Sequence, residues 1–249
     1  MKKILFAIIL TCLTSSIFAQ SFEEFYEHDF GLYSPMSYIS AKSHSLDSLG
    51  IKNKNHTWGL INLEFTIANA NSWGLSAWVK QRQIGDLFSV LRGLLSKKPH
   101  SQFNRDMYLS DFGLLPNLRF GLNVIAKDRT IVNVGLVNNY YIYELQARKD
   151  GQYVQTKNDW MCAGPHIYVD QILTDWLAIR VGTAPQVNYG RGTKQDFKPR
   201  IWEHNIELFS TIGFYFGVDI LSVSKIKDDF NLNNKMRRID FKLGYKFKL

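Results

Sequence analysis

The sequence predicts an all-β fold, a transmembrane antiparallel up-and-down β-barrel of about ten strands, with eight as the alternative count. From Arg238 to Leu249, one strand face is apolar and the other carries charged residues and Gly244. This period of two is typical of a strand that lies between lipid and a polar interior. Long and short connections alternate along the chain, as expected when tight turns gather at one end of a barrel. No apolar run after residue 19 is long enough for a membrane-spanning helix, so any crossing must use strands.

Ten segments show strand periodicity, although two of them do so only weakly. The predicted strands are 30–39, 57–67, 73–80, 118–124, 130–143, 161–170, 177–188, 201–214, 218–224 and 238–249. Gly31 and Pro35 weaken the first of these. We keep it because ten strands place both ends of the chain on the same side of the membrane. The segment 218–224 is ambiguous. Short turns are predicted at 69–72, 127–129, 171–175 and 215–217, and long loops at 41–56, 81–116, 144–157, 190–200 and 225–235.

The long loop before strand 118–124 contains a change of period. Apolar residues at three- and four-residue spacing predict an amphipathic helix over 84–95, ended by Lys97, Lys98 and Pro99. Such a helix packs on the barrel rim, plugs its mouth or contacts lipid, and the sequence leaves these alternatives open.

The N-terminus has the composition of an export signal. Lys2 and Lys3 precede an apolar run that is too short to span a bilayer, and small residues follow, which predicts a signal peptide at 1–19 with cleavage near Ala19. We expect 20–29 to be an acidic periplasmic tail and 30–249 to be the barrel. Cys162 is then the single remaining cysteine, and we expect a small buried thiol.

The last strand resembles the closing strand of Gram-negative outer-membrane β-barrel proteins. Their C-terminal assembly signal has a polar residue, a glycine and two aromatic residues at fixed spacing. Lys242, Gly244 and Phe247 match this signal, whereas Leu249 departs from it by being aliphatic. The resemblance identifies a class and no specific family. It implies a bacterial outer-membrane location, and it implies the barrel-assembly machinery as a partner during biogenesis.

Positive charge concentrates in the predicted long loops. The chain has a formal net charge of +8, and segments 190–200 and 225–238 each carry +3. The candidate anion-binding rim consists of Arg191, Lys194, Lys198, Arg200, Lys225, Lys227, Lys235, Arg237 and Arg238. Such a rim would attract lipopolysaccharide phosphates or other surface anions, and the alternative is a solvated surface that aids solubility. No nucleic-acid motif accompanies the basic charge.

Several titratable residues share the inward face of the predicted strands. The candidate lumen cluster comprises Glu203, Glu207, Asp240, Lys242, His166, Asp170 and Arg180. A turn at 171–175 would place His166 opposite Arg180. We favour a structural network over an acid–base pair, because buried charges must be paired. The sequence indicates no catalytic residue, metal site or cofactor.

These patterns favour a barrel with a filled polar lumen and a structural or surface-binding role, because small barrels have interiors that side chains fill. The main alternative is an outer-membrane enzyme acting on lipid A, phospholipid or surface peptides. That alternative requires a histidine within hydrogen-bond reach of Ser, Asp or Glu at the outer mouth or lipid rim. A narrow ion channel is a third possibility, and the oligomeric state is open.

Overall fold

The protein folds as a barrel of antiparallel strands with a short helix at one end. The computed structural model describes residues 21–27, 29–42, 54–58, 62–80, 117–149, 152–190, 200–226 and 234–248. The helix, α1, is Phe22–Tyr26. The strands are β1 (Phe30–Lys42), β2 (Lys54–Trp58), β3 (Asn62–Ile67), β4 (Leu75–Lys80), β5 (Asn117–Lys127), β6 (Thr130–Lys149), β7 (Gln152–Thr174), β8 (Leu177–Gly190), β9 (Arg200–Ser210), β10 (Phe214–Ile226) and β11 (Asn234–Phe247).

The sheet closes between its first and last strands. Each strand from β3 to β11 pairs with the next, and β11 pairs with β1 from Phe30↔Phe247 to Lys42↔Lys235. Both β2 and β3 pair with β1 at successive heights, so they share one strand position. The barrel therefore has ten strand positions. This confirms the predicted fold class and strand count, with the predicted strand 57–67 formed as two pieces.

The two weakly predicted strands are both present. Pro35 lies within β1 and is paired in register with Lys242 of β11, so it does not end the strand. The ambiguous segment 218–224 lies inside β10, which pairs with β9 on one side and β11 on the other. The predicted turn at 215–217 was wrong, because the chain turns at 211–213. There Gly213 has φ of 89°, and its amide donates to the carbonyl of Ser210 at 3.1 Å.

The predicted loop 144–157 is largely a β-hairpin. Strands β6 and β7 stay paired from Glu144↔Lys157 to Lys149↔Gln152, well past the expected strand ends. The polar composition of this stretch concealed it, because a hairpin beyond the apolar belt has no lipid-facing residues to create alternation. As a result Trp160 lies inside β7. The predicted helix over 84–95 lies outside the described residues.

Inward and outward faces follow the predicted alternation. Leu75, Leu136 and Leu243 point outward and are 66–71% exposed. Glu64, Glu207 and other polar side chains on the alternate positions are buried in the lumen. Trp73 and Trp176 lie at the short-turn end of the barrel, next to the turns that precede β4 and β8. An exposed apolar belt with aromatic residues at its edge is the surface that a barrel presents to lipid.

The helix α1 closes the short-turn end of the lumen. Phe22 and Phe25 are 3% and 4% exposed and pack into a cluster of lumen side chains. The cluster's other buried members are Tyr33, Ile131, Ile172, Ala178, Phe209 and Tyr215. The chain after α1 is tied to the sheet, because Asp29 donates its amide to Phe247 and accepts a hydrogen bond from the Thr66 amide. Burying a phenylalanine side chain contributes about 1.5–3 kcal/mol, so this docking is stable.

Candidate functional site

At the short-turn end, the lumen contains an ion pair capped by α1. Asp170 and Arg180 are register partners on β7 and β8, and two hydrogen bonds of 2.8 and 2.7 Å join them. The hydroxyl of Tyr26 donates to the same carboxylate at 2.5 Å. Burial and then the Asp170 charge raise the pKa of Tyr26 well above its ordinary value, so the phenol keeps its proton and remains a donor.

This geometry corrects the predicted register of His166. Strand β7 continues to Thr174 rather than ending at 170, and a two-residue turn, Asp175 and Trp176, joins it to β8, which begins at Leu177 as predicted. Arg180 therefore lies across from Asp170 and not from His166. His166 instead contacts the amide oxygen of Asn133 at 2.9 Å.

The middle of the lumen holds alternating lysines and carboxylates. Lys246 lies 3.4 Å from both Glu64 and Glu207, and Lys80 also lies 3.4 Å from Glu64. Lys242 is 3.5 Å from Glu207 and 3.0 Å from Asp219. Each carboxylate in this chain of contacts faces at least one ammonium group. The attraction between them offsets the cost of taking the charges out of water.

Aromatic rings line the same layer. The Lys242 ammonium lies 5.8 Å from the centroid of the Tyr33 ring, and that of Lys246 lies 5.1 Å from the Tyr215 ring. These distances are within the range of cation–π attraction. The lysines are thus held on several sides, which favours a fixed network over a mobile charged passage.

A third group lies nearer the end with the long connections. Arg119 donates to Glu203 and to the hydroxyl of Tyr168. Gln186 and Asn139 donate to the second oxygen of Glu203 at 3.2 and 3.3 Å. Glu203 therefore has bonds on both oxygens and acts as a hub for strands β5, β6, β8 and β9.

Arg238 and Asp240 form a further pair beside β1. The guanidinium of Arg238 donates to Asp240 at 2.6 Å and to the hydroxyl of Ser37 at 3.2 Å. Arg238 is only 2% exposed, because its position in β11 has inward parity. The structure therefore places Arg238 in the lumen and not on the exposed rim. Arg200 and Arg237 are exposed, and the other rim side chains lie outside the described ones.

The lumen charges balance among the described residues. The buried acids are Glu64, Asp170, Glu203, Glu207, Asp219 and Asp240, and the buried bases are Lys80, Arg119, Arg180, Arg238, Lys242 and Lys246. Six negative and six positive charges leave no net charge. An interior with no net charge lacks the single-sign lining by which a pore selects cations or anions.

All seven residues of the predicted lumen cluster are buried, but they belong to separate groups. Glu207 and Lys242 are in one group, whereas Asp170 and Arg180 are in another. Sequence reasoning missed Glu64, Lys80, Arg119, Asp219 and Lys246 as members of this network. Their positions on the inward face of the strands could have identified them. The alternation does not show, however, which side chains on different strands lie at the same level along the barrel axis.

His166 and His204, the histidines whose side chains are described, do not form an acid–base pair. Beyond its contact with Asn133, the ring of His166 packs on Tyr168 and Trp78, and His204 faces outward against Trp202. No group of three or more His, Cys, Asp or Glu residues among the described residues could hold a metal ion. Cys162 is a free and fully buried thiol, as expected.

A closed antiparallel barrel with an apolar exterior and a polar, filled interior defines the class of outer-membrane β-barrel proteins. Among the described residues, no helix is long and apolar enough to cross a membrane. No family model matches the chain, and no curated protein matches its sequence.

Solved structures with a similar arrangement are themselves barrels. Ail, the attachment invasion locus protein of Yersinia pestis, has 9% identity and a TM-score of 0.29, over 88% of this chain and 99% of that one. The toluene transporter TbuX of Ralstonia pickettii has 6% identity and a TM-score of 0.29, over 88% and 90% of the two chains. The toluene transporter TodX of Pseudomonas putida has 8% identity and a TM-score of 0.26, over 89% of each chain. At these scores the likeness carries no argument about activity.

Proposed function

We propose that this protein is a bacterial outer-membrane barrel that does not conduct solutes and serves as a scaffold for its extracellular surface. The observation that carries the proposal is the charge-balanced lumen, whose side chains bond to one another while α1 fills the short-turn end. We propose an orientation in the membrane in which the short turns and α1 face the periplasm and the basic loops face the cell exterior.

Solute permeation tests this role. Proteoliposomes containing the purified protein should not swell faster than empty liposomes in an isotonic solution of a small sugar. Rapid swelling that scales with the amount of protein would contradict the proposal and favour a channel. An unrelated open porin in matched liposomes provides the positive control.

The surface role that we propose is binding of lipopolysaccharide by the basic rim. Isolated exposed ion pairs contribute only about 0–1 kcal/mol each and are screened within about 10 Å at ordinary salt, so a cluster is required. Changing Arg191, Lys194, Lys198 and Arg200 together to Gln should weaken binding, and added salt should weaken it further. Binding that is absent at low salt would contradict this role.

A further inference from the structure

An unusual polar patch lies on the outward face of three neighbouring strands. It consists of Arg200, Trp202, His204, Ser222, Ser224 and Arg237, and we call it the exterior cationic patch. Ser222 pairs in register with Trp202 of β9 and with Arg237 of β11, so these three residues form one row across the sheet. Arg200 and Ser224 form the next row, towards the long connections. All six share the outward parity that elsewhere on the described barrel is mostly apolar, with isolated polar residues such as Asn138 and Thr183.

The spacing allows several residues of the patch to contact one ligand. Neighbouring strands lie about 4.8 Å apart, so the backbones of Trp202 and Arg237 are about 10 Å apart and long side chains can converge above Ser222. Trp202 stacks on His204 with ring centroids 6.1 Å apart and planes inclined by 22°. The stack provides a flat amphipathic surface beside the two guanidinium groups.

Among the described residues, no carboxylate pairs with the charges of the patch on that face. Arg200 and Arg237 are exposed, and neither side chain has a carboxylate partner among the described residues. The buried acids of β9 to β11 all point into the lumen. A cation on the lipid face costs about 2–4 kcal/mol at the membrane midplane and about 0–1 kcal/mol near the interface. Two arginines in adjacent rows that have no carboxylate partner among the described residues are therefore consistent with the interface and with an anion that pairs with them.

We propose that the exterior cationic patch binds a phosphate group of a phosphorylated glycolipid, lipid A, in the outer leaflet. The inference rests on the proposed outer-membrane location and extends lipopolysaccharide binding from the loops to the barrel wall. Guanidinium groups match phosphate oxygens with two parallel N–H···O bonds, and the Ser222 hydroxyl adds a further donor, whereas that of Ser224 donates to the Arg200 carbonyl at 3.4 Å. Trp202 and His204 pack beside the sugar and upper acyl region, where amphipathic rings are favoured.

Lipid binding to the protein in phosphatidylcholine nanodiscs tests the assignment. The two probes are bis-phosphorylated lipid A and the same lipid with both phosphates removed, and bound lipid is counted by native mass spectrometry. Arg237→Gln should lower the affinity for the phosphorylated probe about two- to five-fold, as for one exposed ion pair, and leave the other probe unchanged. Lys127→Gln removes one exposed charge at the opposite end of the barrel and should change neither affinity.

The outcomes separate this inference from the proposed function. An unchanged affinity in Arg237→Gln, with weaker binding when Arg191, Lys194 and Lys198 are changed to Gln, would overturn the exterior patch and leave those three loop residues as the site. Absence of binding by the wild-type protein at low salt would overturn both. Equal loss in Lys127→Gln and Arg237→Gln would also overturn the patch, since binding would then depend on total charge. Unchanged electrophoretic mobility of unheated samples shows that each variant is folded.

Discussion

Asp170 and Arg180 face each other across the β7–β8 hairpin and share two hydrogen bonds inside the barrel. The Arg180 guanidinium also lies 5.3 Å from the ring centroids of both Trp78 and Phe209. Tyr26 of α1 reaches the same carboxylate, so one ion pair joins the N-terminal helix to two strands. This relationship makes Asp170 a sensitive point for barrel stability.

Breaking the ion pair from one side should be costly. Asp170→Asn leaves the buried Arg180 without its counter-charge, and we expect a loss of about 3–5 kcal/mol in the free energy of unfolding. Replacing both partners, as in Asp170→Leu with Arg180→Met, should recover most of that loss because no unpaired charge remains. Urea unfolding in detergent micelles measures both. A double variant no more stable than Asp170→Asn would contradict the assignment of the cost to an unpaired charge.

The docking of α1 can be separated into its polar and apolar parts. Tyr26→Phe removes the hydrogen bond to Asp170 and should cost about 1.5–3 kcal/mol, while Phe25→Ala should cost about 3–5 kcal/mol through lost burial. Glu23→Gln, on the exposed side of the same helix, should change stability by less than about 0.5 kcal/mol. The same unfolding measurement applies. A stability loss in Glu23→Gln comparable to that in Phe25→Ala would show that the helix does not dock by its aromatic face.

The period of two explains why so much of the fold follows from the sequence. In β11, Ile239 and Phe241 face outward while Asp240 and Lys242 face inward, as the alternation alone predicts. Lipid outside and packed charges inside require opposite chemistry of adjacent residues, so the sequence shows which residues face outward and which face inward. The alternation does not show how far along the barrel axis each side chain lies, because that position depends on where each turn lies. The turn was predicted at 171–175 but lies at Asp175 and Trp176, and the resulting four-residue error in register was enough to pair Arg180 with His166 instead of Asp170.

The helix α1 could not be anticipated in the same way. It has five residues, of which three are aromatic and two, Glu23 and Glu24, are acidic. The signal was the spacing of Phe22, Phe25 and Tyr26 along one helical face. So short a segment is helical only because tertiary packing stabilises it, since isolated helices of this length are unstable. Its structure therefore depends on the lumen that receives it.

One glycine permits a close strand approach that a side chain would prevent. A Cβ added at Gly135 of β6 would lie 1.9 Å from the backbone oxygen of Phe120 on β5. We expect Gly135→Ala to force β5 and β6 apart and to reduce the yield of folded barrel. Gly31→Ala is the control, because its nearest contact is the flexible side chain of Lys246 at 3.2 Å. The folded fraction after refolding into detergent, seen by the mobility of unheated samples, gives the comparison. Equal yields for both variants would contradict this account.

The assembly signal can be tested apart from the cost of placing a charge on the lipid face. Phe247→Asp alters a position of the predicted signal, whereas Leu243→Asp alters an outward position of β11 that the signal leaves unspecified. We expect the first to lower the amount of mature protein in the outer membrane more than the second. Quantitative blotting of membrane fractions measures the difference. Normal insertion of Phe247→Asp would show that the match of Lys242, Gly244 and Phe247 is accidental.

The most direct test of the central claim, a lumen closed by its own charge network and by α1, is ion conductance across a planar bilayer. Purified protein should insert without a large, steady current at any moderate voltage, because Glu64, Glu207 and the lysines around them pair with one another in the buried interior of the described barrel. A stable open channel with a reproducible conductance step, present in the intact chain, would contradict the account.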